Sequence, residues 1–258
     1  MSDRKYGAPA AEAVLSMLEF MASDPGARGP TELAACLGIT QNLSFRILNI
    51  LTEKGYVKKN PAGQYELTAA LFSLGMKLHN RFDLRTQARP WLEELAVRTG
   101  ESVQLQVPDG DRMLLLDFAA PPMPYYLVVT PGTRLYWHGN AFGKAVLAFL
   151  PKEEMEKILS LPRPKLSGHT ITDEKKIRRE LAEIRKTYSS SEFEEYLLGS
   201  YCIASPVFDA VGKITAAVGV TGIMSRLEKT KILELKRNIR ICADQVSRSI
   251  GYMKEELQ

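Results

Sequence analysis

The sequence predicts an α+β fold in two domains: a small N-terminal domain of helices and one hairpin, and a larger C-terminal domain with a largely antiparallel sheet flanked by helices. Residues 9–54 contain three stretches with helical periodicity, and two strand-like stretches follow them. Beyond residue 100, stretches with strand character alternate with helical ones. The length of 258 residues leaves room for two such domains.

Helical periodicity divides the N-terminal part of the chain into three predicted helices. Residues 1–7 are expected to be a mobile arm, and residues 9–22 follow as the first helix, which a turn-forming Ser-Asp-Pro-Gly sequence ends. The apolar face predicted for this helix contains Val14, Leu15, Leu18 and Met21. Residues 31–37 form the second helix and residues 41–54 the third, with Gly38 between them where a left-handed backbone is needed.

The third predicted helix has two unlike faces. Its mostly apolar stripe contains Ser44, Ile47, Leu48 and Leu51. Its other face is polar except for one aromatic residue, and contains Gln41, Asn42, Phe45, Arg46 and Asn49. Asn and Gln side chains pair with adenine, Arg pairs with guanine or phosphate, and an aromatic ring touches a thymine methyl group. The second face therefore suits the base edges in a DNA major groove.

Two short strand-like stretches, residues 56–59 and 64–68, follow around a predicted turn. Three helices and a two-stranded wing in this order are typical of a winged helix-turn-helix, whose wing contacts phosphates. The alternative is a solvated hairpin with ordinary surface lysines. Net charge does not decide between these two interpretations, since residues 1–82 carry nine Lys or Arg and seven Asp or Glu. The candidate DNA contacts are Thr31, Gln41, Asn42, Phe45, Arg46, Asn49, Lys58 and Lys59.

The rest of the chain begins with two predicted helices, residues 69–80 and 85–98, the second of which carries Trp91, Leu92 and Leu95. This helical connector either forms a dimerisation surface or packs within its own chain. Strands are predicted at residues 102–107, 112–118, 125–130, 201–208 and 213–220. Further helices are predicted at residues 140–150, 152–159, 173–188 and 228–256.

Composition and residue spacing exclude several classes of protein. Hydrophobic residues make up 45% and charged residues 25% of the chain, as in ordinary globular proteins. No apolar stretch is long enough for a membrane span and the N-terminus has no signal-peptide core, so we expect a cytoplasmic protein without a membrane partner. The spacing of cysteines and histidines indicates neither a disulfide framework nor a metal site, and no cofactor is expected. These residues are Cys36, Cys202, Cys242, His79, His138 and His169.

Residues 138–144, with the sequence His-Gly-Asn-Ala-Phe-Gly-Lys, suggest a binding site in the C-terminal half. Asn140 is a good N-cap, and the backbone amides at a helix start attract anions such as a carboxylate. The candidate contacts at this helix start are Ala141, Phe142 and Gly143. Lys144 is either a counter-ion for a ligand or an exposed or structural lysine. On spacing alone, a capped helix packed on the sheet is the simpler explanation.

Three separate segments of the chain together resemble the IclR family of bacterial transcriptional regulators. The first runs from TELAACLGITQNLSFRILNILTEKGYVKK to GQYELT, the second is PGTRLYWHGNAFGKAVLAFL, and the third is SEFEEYLLGSYCIASPVFDAVGKITAAVGVTG. In this order they span nearly the whole chain. The chain departs from the family at the pair Asn42-Leu43, often Ser-Thr, at Glu192, commonly Asp, and at Gly219 and Thr221, which are Ser in some members.

The resemblance implies a winged helix-turn-helix domain at residues 1–70, a linker helix at 71–88, and a GAF-like α/β domain for effector binding and oligomerisation at 89–258. By resemblance, Cys202 lines the effector pocket, with Glu192, Gly219 and Thr221 nearby and with Leu127 and Leu135 as apolar walls. The candidate effector contacts are then Leu127, Leu135, Ala141, Phe142, Gly143, Glu192, Cys202, Gly219 and Thr221.

The predicted function is that of a ligand-responsive regulator, with repression favoured over activation, that is not an enzyme. Its expected partners are double-stranded operator DNA, a small organic acid or aromatic metabolite, and a second copy of the chain in a homodimer or a dimer of dimers. One alternative is a metabolic enzyme, although residues 139–144 lack the full phosphate-binding loop pattern. Another is a module that binds only proteins, which would not retain a DNA duplex with a steep salt dependence.

Overall fold

The structure is a computed structural model that describes residues 8–24, 26–79, 83–124 and 126–253. The arm expected at residues 1–7 lies outside the described residues. The chain divides into two compact units, Met1–Arg81 and Phe82–Gln258. Within the described ranges, we find no helix that combines the length and the apolar character of a transmembrane span.

The described part of the first unit contains four helices and one antiparallel hairpin, in the predicted order. The helices are α1 (Pro9–Ser23), α2 (Pro30–Leu37), α3 (Gln41–Glu53) and α4 (Ala70–His79). The hairpin strands, between α3 and α4, are β1 (Val57–Lys59) and β2 (Tyr65–Leu67).

The connection from α2 to α3 has the predicted geometry. Gly38 ends α2 with a φ of 63°, in the left-handed region that favours glycine. Thr40 then caps α3, because its side-chain oxygen accepts a hydrogen bond from the Leu43 amide at 3.3 Å. The predicted stripe of α3 is buried, and its Ile47 and Leu48 pack in a core with residues from α1, α2 and both hairpin strands.

The buried face of α1 differs from the prediction. Ala13, Met17 and Met21 are buried, whereas Leu15 is 60% exposed. Val14 and Leu18 lie at the edge of the core and are partly buried. Apolar side chains occupy more than one face of this helix, so periodicity alone does not define the side that packs.

The second unit is built around a six-stranded sheet in the order β5-β4-β3-β8-β7-β6, in which every pair of neighbours is antiparallel. The strands are β3 (Ser102–Asp109), β4 (Arg112–Ala119), β5 (Arg134–Leu135), β6 (Ser190–Phe193), β7 (Ser200–Phe208) and β8 (Ile214–Ile223). The described helices are α5 (Leu84–Thr99), α6 (Ala141–Leu147), α7 (Lys152–Leu159), α8 (Glu174–Thr187) and α9 (Ile232–Ser249).

Helices cover both faces of this sheet, and each face has its own core. On one face, Leu92 of α5 and Ile239 of α9 pack against strand residues such as Val103 and Val218. On the other face, α6 and α8 pack against residues of β7 and β8 that include Cys202, Ala204 and Ala217. Successive strand residues point to opposite faces, so β7 and β8 contribute to both cores.

Residues 126–130 are not the predicted third strand. They have no ladder partner, and the backbone oxygen of Leu127 instead accepts a hydrogen bond from Ser102 Oγ at 2.6 Å. The short strand β5 pairs with β4 in their place, and both it and β6 escaped prediction because two to four residues carry little periodicity.

The C-terminal helix is shorter than the predicted range of residues 228–256. Two 3-10 turns, Met224–Arg226 and Lys229–Lys231, precede α9. The helix ends at Ser249, where Gly251 adopts a φ of 97° that a helix cannot continue through. Residues 254–256 of the prediction lie outside the described residues.

Candidate functional site

One candidate surface in the first unit is the exposed side of α3. The five side chains predicted to read DNA are all exposed there, namely Gln41, Asn42, Phe45, Arg46 and Asn49. Thr31, at the start of α2, is exposed as well. The buried Ser44 donates a hydrogen bond to the Pro30 backbone oxygen at 2.8 Å and so ties α3 to the start of α2. The exposed side therefore belongs to a helix whose opposite face is buried and hydrogen-bonded to α2.

The two hairpin lysines are exposed on β1 but differ in their surroundings. The Lys58 Nζ lies 3.1 Å from the Glu66 carboxylate on the opposite strand. The Lys59 Nζ lies 5.6 Å from the centroid of the Tyr65 ring and has no carboxylate partner among the described residues. An exposed ion pair contributes little energy, so a phosphate can displace Glu66 from Lys58.

The second unit contains a cavity of about 310 Å³ on the face of the sheet that α6 covers. Five of the predicted effector contacts line this cavity together, namely Leu127, Leu135, Glu192, Cys202 and Thr221. Its volume is in the range typical of small-molecule sites. Two wider clefts, of about 750 and 520 Å³, lie elsewhere in this unit. We favour the smaller cavity because a continuous chain of buried polar side chains forms its wall.

That chain of side chains, the amide wall, consists of Asn140, Gln106, Gln104 and Thr221. Asn140 Nδ2 donates to Gln106 Oε1 at 2.7 Å, and Gln106 Nε2 donates to Gln104 Oε1 at 2.7 Å. Gln104 Nε2 donates to Thr221 Oγ1 at 2.5 Å, and this hydroxyl lies 3.2 Å from the Cys202 sulfur. Gln104, Gln106 and Asn140 were not predicted as cavity residues. For Gln104 and Gln106, polar side chains at alternate positions of an apolar strand are a usable signal.

Ala141, Phe142 and Gly143 are fully buried and do not line the cavity. The Asn140 side chain reaches the cavity in their place, and its Oδ1 already accepts a hydrogen bond from the Phe142 amide at 3.2 Å. At Gly143, an added Cβ would lie 2.5 Å from the Trp137 backbone oxygen. The helix start is therefore packed closely against the chain that precedes it.

Gly219 also lies outside the cavity lining. It pairs with Gln104 on one side and with Ala204 on the other. A Cβ at this position would lie 2.1 Å from the Ile203 backbone oxygen, so glycine allows the close approach of β7 and β8.

Glu192 lies inside the protein, although the acidic residues near it in sequence suggest a solvated charge. Its exposed fraction is 0%, and its Oε2 accepts a hydrogen bond from the Glu195 amide at 2.9 Å. Its Oε1 is buried and has no hydrogen-bond partner among the described residues. The Cys202 thiol, a weak donor, lies beside the carboxylate group. Burial, and then the negative charge of Glu195, raise the pKa of Glu192 above its ordinary value.

The surroundings of Cys202 favour its protonated thiol over the nucleophilic thiolate. Burial raises its pKa well above the ordinary value, and the adjacent Glu192 carboxylate raises it further. In the described part of the chain, no group of three or more His, Cys, Asp or Glu side chains is placed to hold a metal ion.

Lys144 has a structural environment and does not line the cavity. Its side chain is 0% exposed, and its Nζ lies 2.9 Å from a Glu180 oxygen and 2.8 Å from a Glu195 oxygen. Burial alone would lower its pKa, but the two carboxylates outweigh burial and raise the pKa. Its charge is therefore compensated by glutamates of its own unit.

Comparison with known families finds one family that matches most of the second unit. The family described as "Bacterial transcriptional regulator IclR C-terminal" matches residues 76–248. The glycerol operon regulatory protein of Streptomyces griseus is 31% identical over 93% of this chain and 95% of its own. The HTH-type transcriptional regulator KipR of Bacillus subtilis is 28% identical over 86% of this chain and 89% of its own. These relatives are transcriptional regulators, not enzymes.

Solved structures resemble the fold over nearly the whole chain. A putative IclR transcriptional regulator from a Silicibacter species superposes with a TM-score of 0.84 at 22% identity, covering 96% of this chain and 98% of its own. The repressor BlcR of Agobacterium tumefaciens has a TM-score of 0.77 at 20% identity, over 98% of this chain and all of its own. At these identities the likeness concerns the fold alone.

Proposed function

Because the chain belongs to the IclR family of bacterial transcriptional regulators, we propose that it is a ligand-responsive repressor. Its first unit is then a winged helix-turn-helix that binds operator DNA, and its second unit binds a small effector that changes this binding. The observation that carries the proposal is the two-sided character of α3, which is buried along one stripe and exposes five side chains suited to bases along the other. The HTH-type transcriptional repressor AllR of Klebsiella pneumoniae, 27% identical over 95% of this chain, supports the direction of regulation.

On the DNA, α3 enters the major groove and Arg46 contacts guanine or phosphate. Lys58 and Lys59 of the hairpin contact phosphates and position the unit without reading sequence. A single helix reads few base pairs, so we propose that the chain acts as a homodimer, or as a dimer of dimers, on a two-fold operator.

The effector occupies the cavity beside the amide wall. A ligand shifts operator binding only if its affinities for the DNA-binding and non-binding states differ. The cavity supports this role because it joins β3, β7 and β8 to the start of α6, so that a ligand contacts several elements of the unit at once.

Substitution of Arg46 by alanine tests the DNA-binding proposal. We expect operator affinity to fall by about 1–3 kcal/mol, roughly 5- to 150-fold, because this change removes a contact to a base or phosphate. The side chain is exposed, so the fold should not change. Fluorescence anisotropy on a duplex from the adjacent intergenic DNA, with salt titrations, measures the effect.

The matched control is Arg237→Ala, which removes the same charge from an exposed position of α9 in the second unit. We expect this control to bind like the wild type. Equal affinities of the Arg46 variant and the wild type would contradict the role of α3. Failure of the wild type to retain any duplex at low salt would favour a module that binds only proteins.

A further inference from the structure

The cavity beside the amide wall contains an acidic side chain and no basic one among its described lining residues. Among its described lining residues there is no Lys, Arg or His, and the carboxylate is Glu192. The nearest buried cation is Lys144, whose ammonium is shared between Glu180 and Glu195. Two carboxylates therefore already compensate this ammonium group, which leaves it little positive charge to balance an anionic ligand.

The amide wall offers hydrogen-bond donors that are only half used. Each primary amide has two N–H groups, and Asn140, Gln106 and Gln104 each donate one of them along the wall. The oxygen of each amide already accepts a hydrogen bond, from Phe142, Asn140 and Gln106 respectively. The second N–H group of each amide therefore has no hydrogen-bond acceptor among the described residues.

Glu192 has the opposite requirement. Its Oε2 accepts a hydrogen bond from the Glu195 amide, while its buried Oε1 has no hydrogen-bond partner among the described residues. A buried carboxylate oxygen without a strong donor is unfavourable, and a ligand hydroxyl or N–H group would supply that donor. A ligand that fits this cavity therefore has a hydrogen-bond acceptor facing the amide wall and a hydrogen-bond donor facing Glu192.

We infer that the effector is an uncharged molecule, an alcohol or an amide, that donates a hydrogen bond to Glu192 Oε1 and accepts one from the amide wall. Its carbon skeleton lies against Leu115, Leu127 and Leu135. This inference rests on the proposed function of the cavity as the effector site. It replaces the organic acid expected from the sequence, because an ionised carboxylate would be buried beside Glu192 without a counter-charge. An organic cation would leave the spare amide N–H groups without an acceptor.

Matched probes separate these classes of ligand. The full-length protein is titrated by calorimetry at pH 8 with two sets of probes, each of which contains an acid, its amide and an alcohol of similar size. The aromatic set is benzoate, benzamide and benzyl alcohol. The aliphatic set is lactate, lactamide and 1,2-propanediol. We expect at least one neutral probe to bind, and the acid of the same set to bind at least tenfold more weakly.

The variant Glu192→Gln tests the role of the carboxylate itself. Glutamine keeps the oxygen that accepts from the Glu195 amide and replaces the negative charge with an N–H donor. We expect the ratio of neutral to acid affinity to shrink at least tenfold in this variant. The control is Glu183→Gln, at a side chain that is 64% exposed on α8, and it should leave the ratio unchanged.

Two results would overturn the inference. One is an ionised acid that binds the wild type as tightly as its neutral partner, and the other is the absence of binding by every neutral probe. Operator binding is measured separately, in the absence of any probe, for the wild type and for Arg46→Ala. A failure of the ligand class is therefore distinguishable from a failure of the regulator proposal.

Discussion

The ion-pair cluster around Lys144 leads to a quantitative prediction for the variant Lys144→Met. Methionine is close to lysine in length and fits an apolar site, but it removes the ammonium that lies 2.8 Å from Glu195 and 2.9 Å from Glu180. The Glu195 side chain is only 8% exposed, so water cannot compensate its charge. The Glu180 side chain is 33% exposed and can be hydrated again.

The expected loss comes mainly from Glu195. Removing one partner of a buried ion pair lowers the free energy of unfolding by about 3–5 kcal/mol. The pair with the partly exposed Glu180 adds less, about 1 kcal/mol at most, because water can hydrate that carboxylate again. We therefore expect the variant to be about 3–5 kcal/mol less stable than the wild type at pH 8.

The loss should depend on pH. Burial already raises the pKa of Glu195 in the folded protein, and Lys144 lowers it, so removal of Lys144 raises that pKa further. A carboxyl group with a raised pKa in the folded state destabilises the protein when it is ionised and does so less when it is protonated. The difference in the free energy of unfolding between the variant and the wild type is consequently largest at pH 8. It becomes smaller as the pH falls towards the ordinary pKa of glutamate.

Urea unfolding followed by tryptophan fluorescence measures this effect. Both tryptophans, Trp91 and Trp137, belong to the second unit, so the signal reports the unit that contains Lys144. The control is Lys186→Met, since the Lys186 side chain is 74% exposed and pairs with Glu183 at 3.3 Å. We expect this control to lose less than about 1 kcal/mol. A Lys144 variant as stable as the wild type at pH 8, or a loss that does not change with pH, would refute the reasoning.

Two further predictions concern packing and thiol chemistry. Gly143→Ala should destabilise the second unit by about 3 kcal/mol or more in the same urea assay, because its Cβ would lie 2.5 Å from backbone. The control Gly168→Ala should not destabilise the unit, because no atom lies within 4 Å of its added Cβ. Equal losses of stability in the two variants would contradict the packing argument. A thiol reagent at pH 8 should label the exposed Cys36 quickly and Cys202 and Cys242 only after unfolding, since burial raises the pKa of Cys242 to about 12. Two fast-reacting thiols in the folded protein would show that one of the buried cysteines is accessible.

Local patterns predicted the elements whose information is contained within a few residues. The two faces of α3, the left-handed Gly38 and the bounds of α7 at residues 152–159 agree with the structure. Each depends on periodicity, a cap or a breaker, which neighbouring residues specify. The largely antiparallel sheet followed from its hairpins for the same reason.

The features that local patterns left open or did not predict depend on residues distant in sequence. Lys144 finds partners 36 and 51 residues away, so its burial leaves no local trace. Glu192 stands in an acidic stretch that reads as a surface, yet the neighbouring strand β7 and the Glu195 amide enclose it. Residues 126–130 have strand-like composition, but the two residues of β5 pair with β4 instead, and this choice of partner is not encoded within the segment itself.

The double role of Asn140 affects how this protein can diverge. One side chain caps α6 through its oxygen and begins the amide wall through its nitrogen. In the proposed effector site, a substitution there would change ligand recognition and helix stability together, so selection should seldom accept it. Leu127 and Leu135 touch the cavity from a loop and from a short edge strand, where replacement disturbs little else. New ligand preferences should therefore arise at these two leucines, while the polar wall persists among descendants that respond to different molecules.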